Sequence, residues 1–569
     1  MFLIQEKRKN GTNLCIVQSY RDPVTKASKT KRIMNIGYLE DLQKQYDDPV
    51  AHFKNIAKEM KDEYVSDVKP VKITLDPKKL LEPEVDLIKN FGYTALSTIY
   101  HELKMDVFFN GKQRFLDIDY NLNSVMKLLV YGTILYHGSI KQIYGNKDQF
   151  FDKMDFSLND IYRSFPYLNQ CRGQIQSWVH DSICKTYGRS KSQMYYYVTK
   201  HYFETSEQDY DGKYSDPNAQ RTDPIVQMGL FVDTNGLPVS YELFPRNPAD
   251  ALVISPEIKK RAREFGIGKV ILVGDNGTNS AENLYYAASG ESGYIAAQNI
   301  RSADNETKEY VLNQEGYTPF EDACRIKSRI YTRTIRVTTA DGGKKNVSFK
   351  EKQIVFHSPK YAKCVMAERE DVLLKAKDLI AFPSKYSKTT ARDAAKFVQN
   401  IEYDRKSGRV LQGSSPLMLN EERLIEEEKY DGYYLFITSE TDRTVSDIIH
   451  AYEDLWEIEE YFKYKNSSYR PRPIFISRLE HMHAHYLTCF LSLTLMRILE
   501  NKINNKYPLE QVLQSLRKCN CVNIDGSNYM KSYFDPVLDF IGQSIGLDFA
   551  KRFVTLQNIK KSIGITKKR

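Results

Sequence analysis

The stretch PIVQMGLFVDTNGLPVSYELF (224–244) decides the fold: two apolar runs rich in β-branched and aromatic residues flank Thr234-Asn235-Gly236. Asn-Gly accepts the positive φ angles of the tight turn whose twist matches two paired strands, so it is the strongest short-range hairpin signal. Just upstream, MYYYVTKHYFET (194–205) has the same composition and reads as a third strand. Downstream come a helix-like stretch from Asp250 to Phe265, the buried-strand run KVILVGD (269–275), a helix opened by Asn279 or Ser280, and the strand GYIAAQ (293–298). Three consecutive strands followed by helix, strand, helix and strand predict a mixed α/β sheet carrying helices.

Residues 300 to about 430 break that rhythm. They hold two β-like runs, RIYTRTIRVTT (329–339) and NVSFKEKQIVF (346–356), then a charged helical stretch, and read as a long insertion. YDGYYLFITSE (430–440) restores the buried-strand pattern, and Thr444 or Ser446 can cap a helix from about 446 to 466. From there the chain is expected to be helical to its end. Toward the N-terminus, 84 to 190 reads as all-helical, for instance Ser124 to His137, with breaks at Gly138 and Pro166. The first 70 residues hold short strands (Thr12 to Ser19, Arg32 to Gly37) and a helix over Pro49 to Met60. The expected division is a β-rich N-terminal module at 1–75, a helical domain at 76–190, a core split between 191–300 and 429–500, a β-rich insertion at 301–428, and a helical tail at 501–569.

Composition bounds the function. With 41% hydrophobic and 27% charged residues the chain is globular, and 569 residues suit several folding units. The net charge of +9 is compatible with a polyanionic partner but does not establish one. Basic residues gather near the start (Lys7, Arg8, Lys9; Lys26, Lys29, Lys31, Arg32) and at the end (Lys560, Lys561, Lys567, Lys568, Arg569). The 8 cysteines form no CxxC pair, and the Cys519-Asn520-Cys521 triplet has no second ligand pair at zinc-finger spacing, so reduced thiols in a cytoplasmic protein are expected. No apolar run is long enough to cross a membrane, and Tyr486 to Leu499 reads as a buried helix.

Two carboxylates stand out. Asp275 ends the apolar strand VILVGD and precedes Asn276-Gly277, which leaves it at the carboxyl edge of the sheet, where catalytic groups gather. Glu459 lies in AYEDLWEIEEYFKYK (451–465) beside the apolar stripe of Leu455, Trp456, Ile458 and Phe462, whereas Glu453, Glu457 and Glu460 can stay solvated. Hard-oxygen ligands on rigid elements are what Mg²⁺ needs, and two such ions can activate the attacking oxygen and stabilise the leaving one at a phosphodiester.

NLCIVQSYRD, DPVAHF, YVTKHYFET, RTDPIVQMGLFVDTNGLPVSYELFP, VILVGDNGTNSAENL, DGYYLFITSE and the block from AYEDLWEIEEYF through RPIFIS to HYLTCFLSLTLMRILE recur in a specific order. Through them the chain resembles the large bacterial insertion-sequence transposases, which carry a DDE site on a ribonuclease-H-like fold interrupted by a β-rich insertion. The resemblance implies cleavage and strand transfer dependent on Mg²⁺ or Mn²⁺, with two ions in an active member. It implies binding of terminal inverted repeats by the N-terminal region, target DNA as a second partner, a homodimer in a synaptic complex, no membrane association, and a place in the bacterial cytoplasm near the nucleoid. By it Asp275 and Glu459 are the second and third acidic residues and the metal ligands, and Tyr452, Lys463, Lys465 and Arg472 belong to the DNA-binding set.

The first acidic residue should stand in a strand reading aromatic-Asp-Val-Thr, where this chain has Tyr197 before Val198 and Thr199. A phenol, with a reference pKa near 10, stays neutral and is a poor Mg²⁺ ligand. Alternation gives Thr199 and His201 the face of Tyr197, and Glu204 the other. Leu455 stands where the family has a signature arginine, Asn466 where it has a lysine, Arg246 where a glycine is usual, and MHAH (482–485) replaces Ile-x-Gly-His, leaving His485 as the match. His481, His483 and His485 are spaced by two on a helix and so face different ways, which argues against a shared metal. The sequence therefore reads as an insertion-sequence transposase with impaired catalysis; the alternatives are a catalytically dead DNA-binding remnant and an ordinary nuclease on the same fold.

Overall fold

The computed structural model describes the chain apart from residues 9–10, 22–27, 44–45, 47, 69–77, 79, 81–85, 137, 205–224, 246–255, 275–280, 289–291, 339–342, 389, 392, 405–406, 412–414, 465–473, 476–478 and 569. Met1–Val85 and Asp86–Arg569 are two compact units. In the first, β1 (Phe2–Arg8), β2 (Gly11–Arg21) and β3 (Ser28–Tyr38) form an antiparallel sheet in that order, followed by α1 (Pro49–Val68). The central strand β2 buries Leu14, Cys15, Ile16 and Val17, and its register against β3 slips at Leu14/Cys15 and Ile16/Val17. Edge strand β3 leaves Lys29, Lys31 and Arg32 exposed, Arg32 paired with Glu6 at 2.6 Å.

The second unit opens with β4 (Ile88–Asn90), then α2 (Tyr93–Glu102), α3 (Met105–Gln113), α4 (Leu122–Leu135), α5 (Ile140–Gly145), α6 (Leu158–Gln170) and α7 (Arg172–Tyr187). Asn121 caps α4 by accepting the Ser124 N–H, so this helix starts earlier than its apolar spacing indicated. Pro166 does not break the chain as expected, because α6 runs through it. The proline forfeits one intrahelical bond, while Ile161, Phe165 and Leu168 bury the inner face and hold the helix in place.

The core strands follow: β5 (Gln193–Glu204), β6 (Ile225–Asp233), β7 (Pro238–Pro245), then α8 (Pro256–Glu264), β8 (Lys269–Gly274), α9 (Ala281–Ala288) and β9 (Gly293–Gln298). The inserted segment supplies α10 (Asn305–Leu312), β10 (Thr318–Pro319), the long strands β11 (Arg325–Thr338) and β12 (Lys344–His357), and α11 (Pro359–Ala381). Four two-residue strands come next, β13 (Val398–Gln399), β14 (Glu402–Tyr403), β15 (Val410–Leu411) and β16 (Met418–Leu419), with α12 (Glu421–Glu428). The chain re-enters the core at β17 (Tyr433–Thr438), α13 (Val445–Tyr464), β18 (Ile474–Phe475) and α14 (Leu479–Lys502).

One ten-stranded sheet unites these pieces in the order β10-β11-β12-β17-β9-β8-β5-β6-β7, with β18 parallel to the end of β5. β5, β6 and β7 are antiparallel, whereas β8 and β9 run parallel to β5. This is the mixed α/β sheet that the alternation of strands and helices predicted, and β17 joins the inserted hairpin to its side. Met194, Tyr196 and Val198 face the core that also buries Ala262 of α8 and Leu284 and Ala287 of α9. Tyr195 and Tyr197 face the other core, which contains Ala451, Tyr452 and Ile458 of α13 and Tyr486 of α14.

The end of the chain is not helical throughout. Between α15 (Leu509–Lys518) and the last helices lie β19 (Asn520–Asn523) and β20 (Asn528–Lys531), then α16 (Pro536–Ile545), β21 (Phe553–Thr555) and α17 (Leu556–Thr566). They form a four-stranded sheet, β21-β20-β19-β4, that draws in a strand from the stretch read as all-helical. Asn90 seals the join by donating to the carbonyls of Leu516 (2.9 Å) and Arg517 (3.2 Å). At Gly92 a Cβ would lie 2.2 Å from the Leu516 carbonyl oxygen. Gly92→Ala is therefore expected to destabilise the protein by about 1–3 kcal/mol, read as a lower urea midpoint; an unchanged midpoint would contradict this close approach.

Two buried histidines set an acid limit. His101 donates from Nδ1 to the Ser97 carbonyl at 2.7 Å and accepts Lys127 Nζ on Nε2 at 3.2 Å, while His180 Nδ1 meets Arg189 at 3.0 Å. Burial, reinforced by Lys127 in one case and Arg189 in the other, pushes both imidazoles down to about 4. An unfolded histidine takes up its proton near pH 6.5, so between there and about pH 4 the unfolded chain binds protons that the folded one refuses. Stability is thus expected to be intact above pH 6.5 and to fall steadily toward pH 4; urea midpoints that stay flat across that window would refute the assignment.

Candidate functional site

Tyr197 sits at the middle of β5, paired with Leu230 on β6 and with Val273 on β8. Its side chain is completely buried, beside Tyr195 at a ring-centroid distance of 6.1 Å. The hydroxyl donates to the backbone carbonyl of Ala451 in α13 at 3.0 Å. A carbonyl has two lone pairs, so Ala451 can take this bond alongside its intrahelical one. The phenol therefore clamps the central strand to the helix that carries Glu459. An aspartate at the same Cα would be shorter by most of a ring and would leave that carbonyl unreached.

β8 ends at Gly274, with Ile271 and Val273 on the face of Tyr197, and Asp275 lies outside the described residues. Glu459 and Lys463 are in α13, whose N-terminus is capped by Thr444 accepting the Asp447 N–H at 3.1 Å. The side chains of Glu459 and Lys463 are outside the described residues, as are Lys465 and Arg472 altogether. The same holds for the side chain of Leu455 and for Asn466 and Arg246. Of the apolar stripe proposed for this helix, Ile458 is buried, and Glu453 is exposed as expected. Tyr452 is buried with its ring edge toward Phe436 at 4.9 Å, and it lines a cavity of about 270 Å³ with Tyr361, Tyr434 and Phe436.

The three histidines of α14 meet different partners, as their spacing required. His481 packs on Tyr162 and Phe165 at 5.5 and 5.1 Å, His483 bonds Arg172, and His485 lies 3.5 Å from Cys489 Sγ. Among the described residues no group of three or more His, Cys, Asp or Glu side chains is placed to hold a metal. Cys519 and Cys521 are buried, and burial pushes both thiols up to about 12.

Two polar assemblies around β5 had no sequence signal. At its start, Arg443 donates to the Tyr195 hydroxyl at 2.9 Å and to Gln193, while Lys269 pairs with Glu440 at 2.7 Å, tying β5 and β8 to the loop before α13. Beneath the β6–β7 turn, Arg189 and Asp233 form a buried ion pair at 2.8 Å, and Asp233 also accepts the N–H groups of Asn235 and Leu237. Burial raises the Asp233 carboxyl despite the neighbouring guanidinium.

Tyr197→Phe, which keeps the ring and deletes the hydroxyl that bonds Ala451, is expected to cost about 1 kcal/mol, measured by chemical denaturation. Wild-type stability in that variant would show that the clamp contributes nothing.

Residues 3–69, within the first unit, match the model for the IS1634 family transposase, N-terminal domain. Among solved structures, a piggyBac transposase in a synaptic complex with hairpin DNA shares 7% identity with this chain, over 84% of this chain and 75% of that one, at a TM-score of 0.28. No curated protein matches the chain.

Proposed function

We propose that this chain is an insertion-sequence transposase that holds terminal DNA, and that its strand cutting is impaired because Tyr197 occupies the place of a metal-binding carboxylate. Support for the first half comes from the N-terminal transposase domain over residues 3–69 and from the order of strands in the core sheet. The single observation that carries the second half is the bond from Tyr197 to Ala451. A neutral phenol, wholly buried and committed to a backbone carbonyl, does not fit a two-ion site at that position. Asp275 and Glu459 are the carboxylates left to hold an ion, Mg²⁺ or Mn²⁺ by the chemistry of their oxygens. Terminal inverted repeats and target DNA are the proposed partners, with a homodimer as the synaptic unit and Tyr452, Lys463, Lys465 and Arg472 toward the bound end.

The same bond favours a second reading, a DNA-binding remnant that occupies ends without cutting them, since the phenol is a working part of the core.

The test uses the full chain, duplexes carrying the terminal sequences that flank its coding region, and Mg²⁺ or Mn²⁺. Wild-type protein is expected to bind and to cut near background, whereas Tyr197→Asp should raise cutting by about 100-fold, and Asp275→Ala in that variant should abolish the gain. Continued inactivity of Tyr197→Asp would favour the remnant. Cutting by the wild type at a rate untouched by Asp275→Ala would sink the proposal.

A further inference from the structure

The inserted hairpin carries an unbalanced cluster of hydrogen-bond donors. Arg325 on β11, His357 on β12 and Tyr433 on β17 lie abreast in register on three adjacent strands. Neighbouring strands are roughly 4.8 Å apart, so the three side chains share one patch. His357 and Tyr433 are in ring contact at 4.5 Å, and Arg325 donates to the Tyr433 hydroxyl at 3.1 Å. Gln314 donates to the same oxygen at 3.3 Å. Two incoming donors occupy the lone pairs of that hydroxyl, which leaves its own proton for an outside acceptor at a half-exposed surface.

Lys327, one step along on the same face as Arg325, is a second cation beneath the row, buried and donating to the Asn313 carbonyl at 2.5 Å. It is wedged between Tyr310 and Tyr317 at 4.4 and 4.3 Å, and Arg325 lies over Tyr317 at 4.7 Å. Further out, Arg329 and Arg333 are neutralised by Glu306 (3.0 Å) and Glu351 (2.8 Å). Among the described residues no carboxylate pairs with Arg325 or Lys327. Burial and then the two flanking arginines push the Lys327 ammonium down to about 8, as expected of a cation lacking a counter-charge. Lys327 is spent on the Asn313 carbonyl and the Gln314 amide on Leu312 and Tyr433, so the groups left to face a ligand are the Arg325 guanidinium and the Tyr433 phenol beside His357, a half-exposed set complementary to a phosphate oxygen.

We propose that the Arg325–His357–Tyr433 row docks a phosphate of the DNA backbone, giving the inserted hairpin a contact separate from the N-terminal unit. This rests on the reading of the chain as DNA-binding. Tyr317 beneath Arg325 orients its guanidinium, and the contact positions a duplex without reading its sequence.

The experiment measures binding of the full chain to a fluorescent duplex by anisotropy across a salt series, with melting curves to check that each variant is folded. Arg325→Gln is expected to weaken binding about 5–10-fold and to lower the slope of log affinity against log salt by about one. Tyr433→Phe, which removes one neutral donor, should weaken binding about 2–3-fold and leave the slope alone. Lys153→Gln, an exposed charge far along the chain, should behave as wild type. Wild-type affinity and slope in both Arg325→Gln and Tyr433→Phe would overturn the proposal while leaving the functional reading intact. Failure of the wild type to bind any duplex would instead remove the functional reading. In that case Arg325-dependent binding of inorganic phosphate by calorimetry would identify a free anion as the ligand and overturn DNA docking.

Discussion

The core sheet of the second unit is arranged around a strand flanked by other strands on both edges. β5 is paired by β6 over Met194–Tyr202 and by β8 over Gln193–Tyr197, and from Met194 to Val198 its side chains are buried on both faces. Its run of tyrosines suits that position, because a ring fills volume at a sheet centre while its hydroxyl still requires a partner. Tyr195 finds Arg443, and Tyr197 finds Ala451. Tyr196, on the opposite face, crosses Gly229 so closely that a Cβ there would fall 1.9 Å from its hydroxyl oxygen. The strand thus dictates small residues on its neighbour and fixes the approach of α13.

That constraint has a functional side. A DDE-type centre needs the middle of this strand to present charge to an ion, and charge at a doubly buried position is tolerated when it is compensated. A phenol removes the need for compensation. On the proposed reading, a tyrosine at position 197 exchanges a site that requires a cation for one satisfied by protein alone, with the helix backbone as acceptor.

Much of this was legible in the residues. The Asn235-Gly236 turn appears where its dipeptide demanded, with Gly236 at φ +75°, and β8, β9 and β17 fall on the apolar runs that announced them. What escaped was the sheet closed by the tail. Asp525-Gly526 is a hairpin dipeptide too, with Gly526 at φ +89°, but the strands beside it are four residues each, too short for alternation to register. Pro166 misled for a related reason: local propensity marks a break, and burial of Ile161 and Phe165 outweighs it. At the site, Tyr197 was visible through family resemblance, but its partner was not, since a backbone carbonyl 254 residues away leaves no trace in composition. The Arg189–Asp233 pair was hidden likewise, because each residue looks ordinary until the fold brings them together.

The seam between Asn90 and Leu516 spans 426 residues of chain. At the ordinary pace of synthesis, about 5–20 residues per second, the early strand waits roughly 20–85 s for the stretch that will cover it. During that interval β4 and the inner faces of the first helices have no permanent cover, so the nascent chain is a prospective client for chaperones until the final hundred residues emerge.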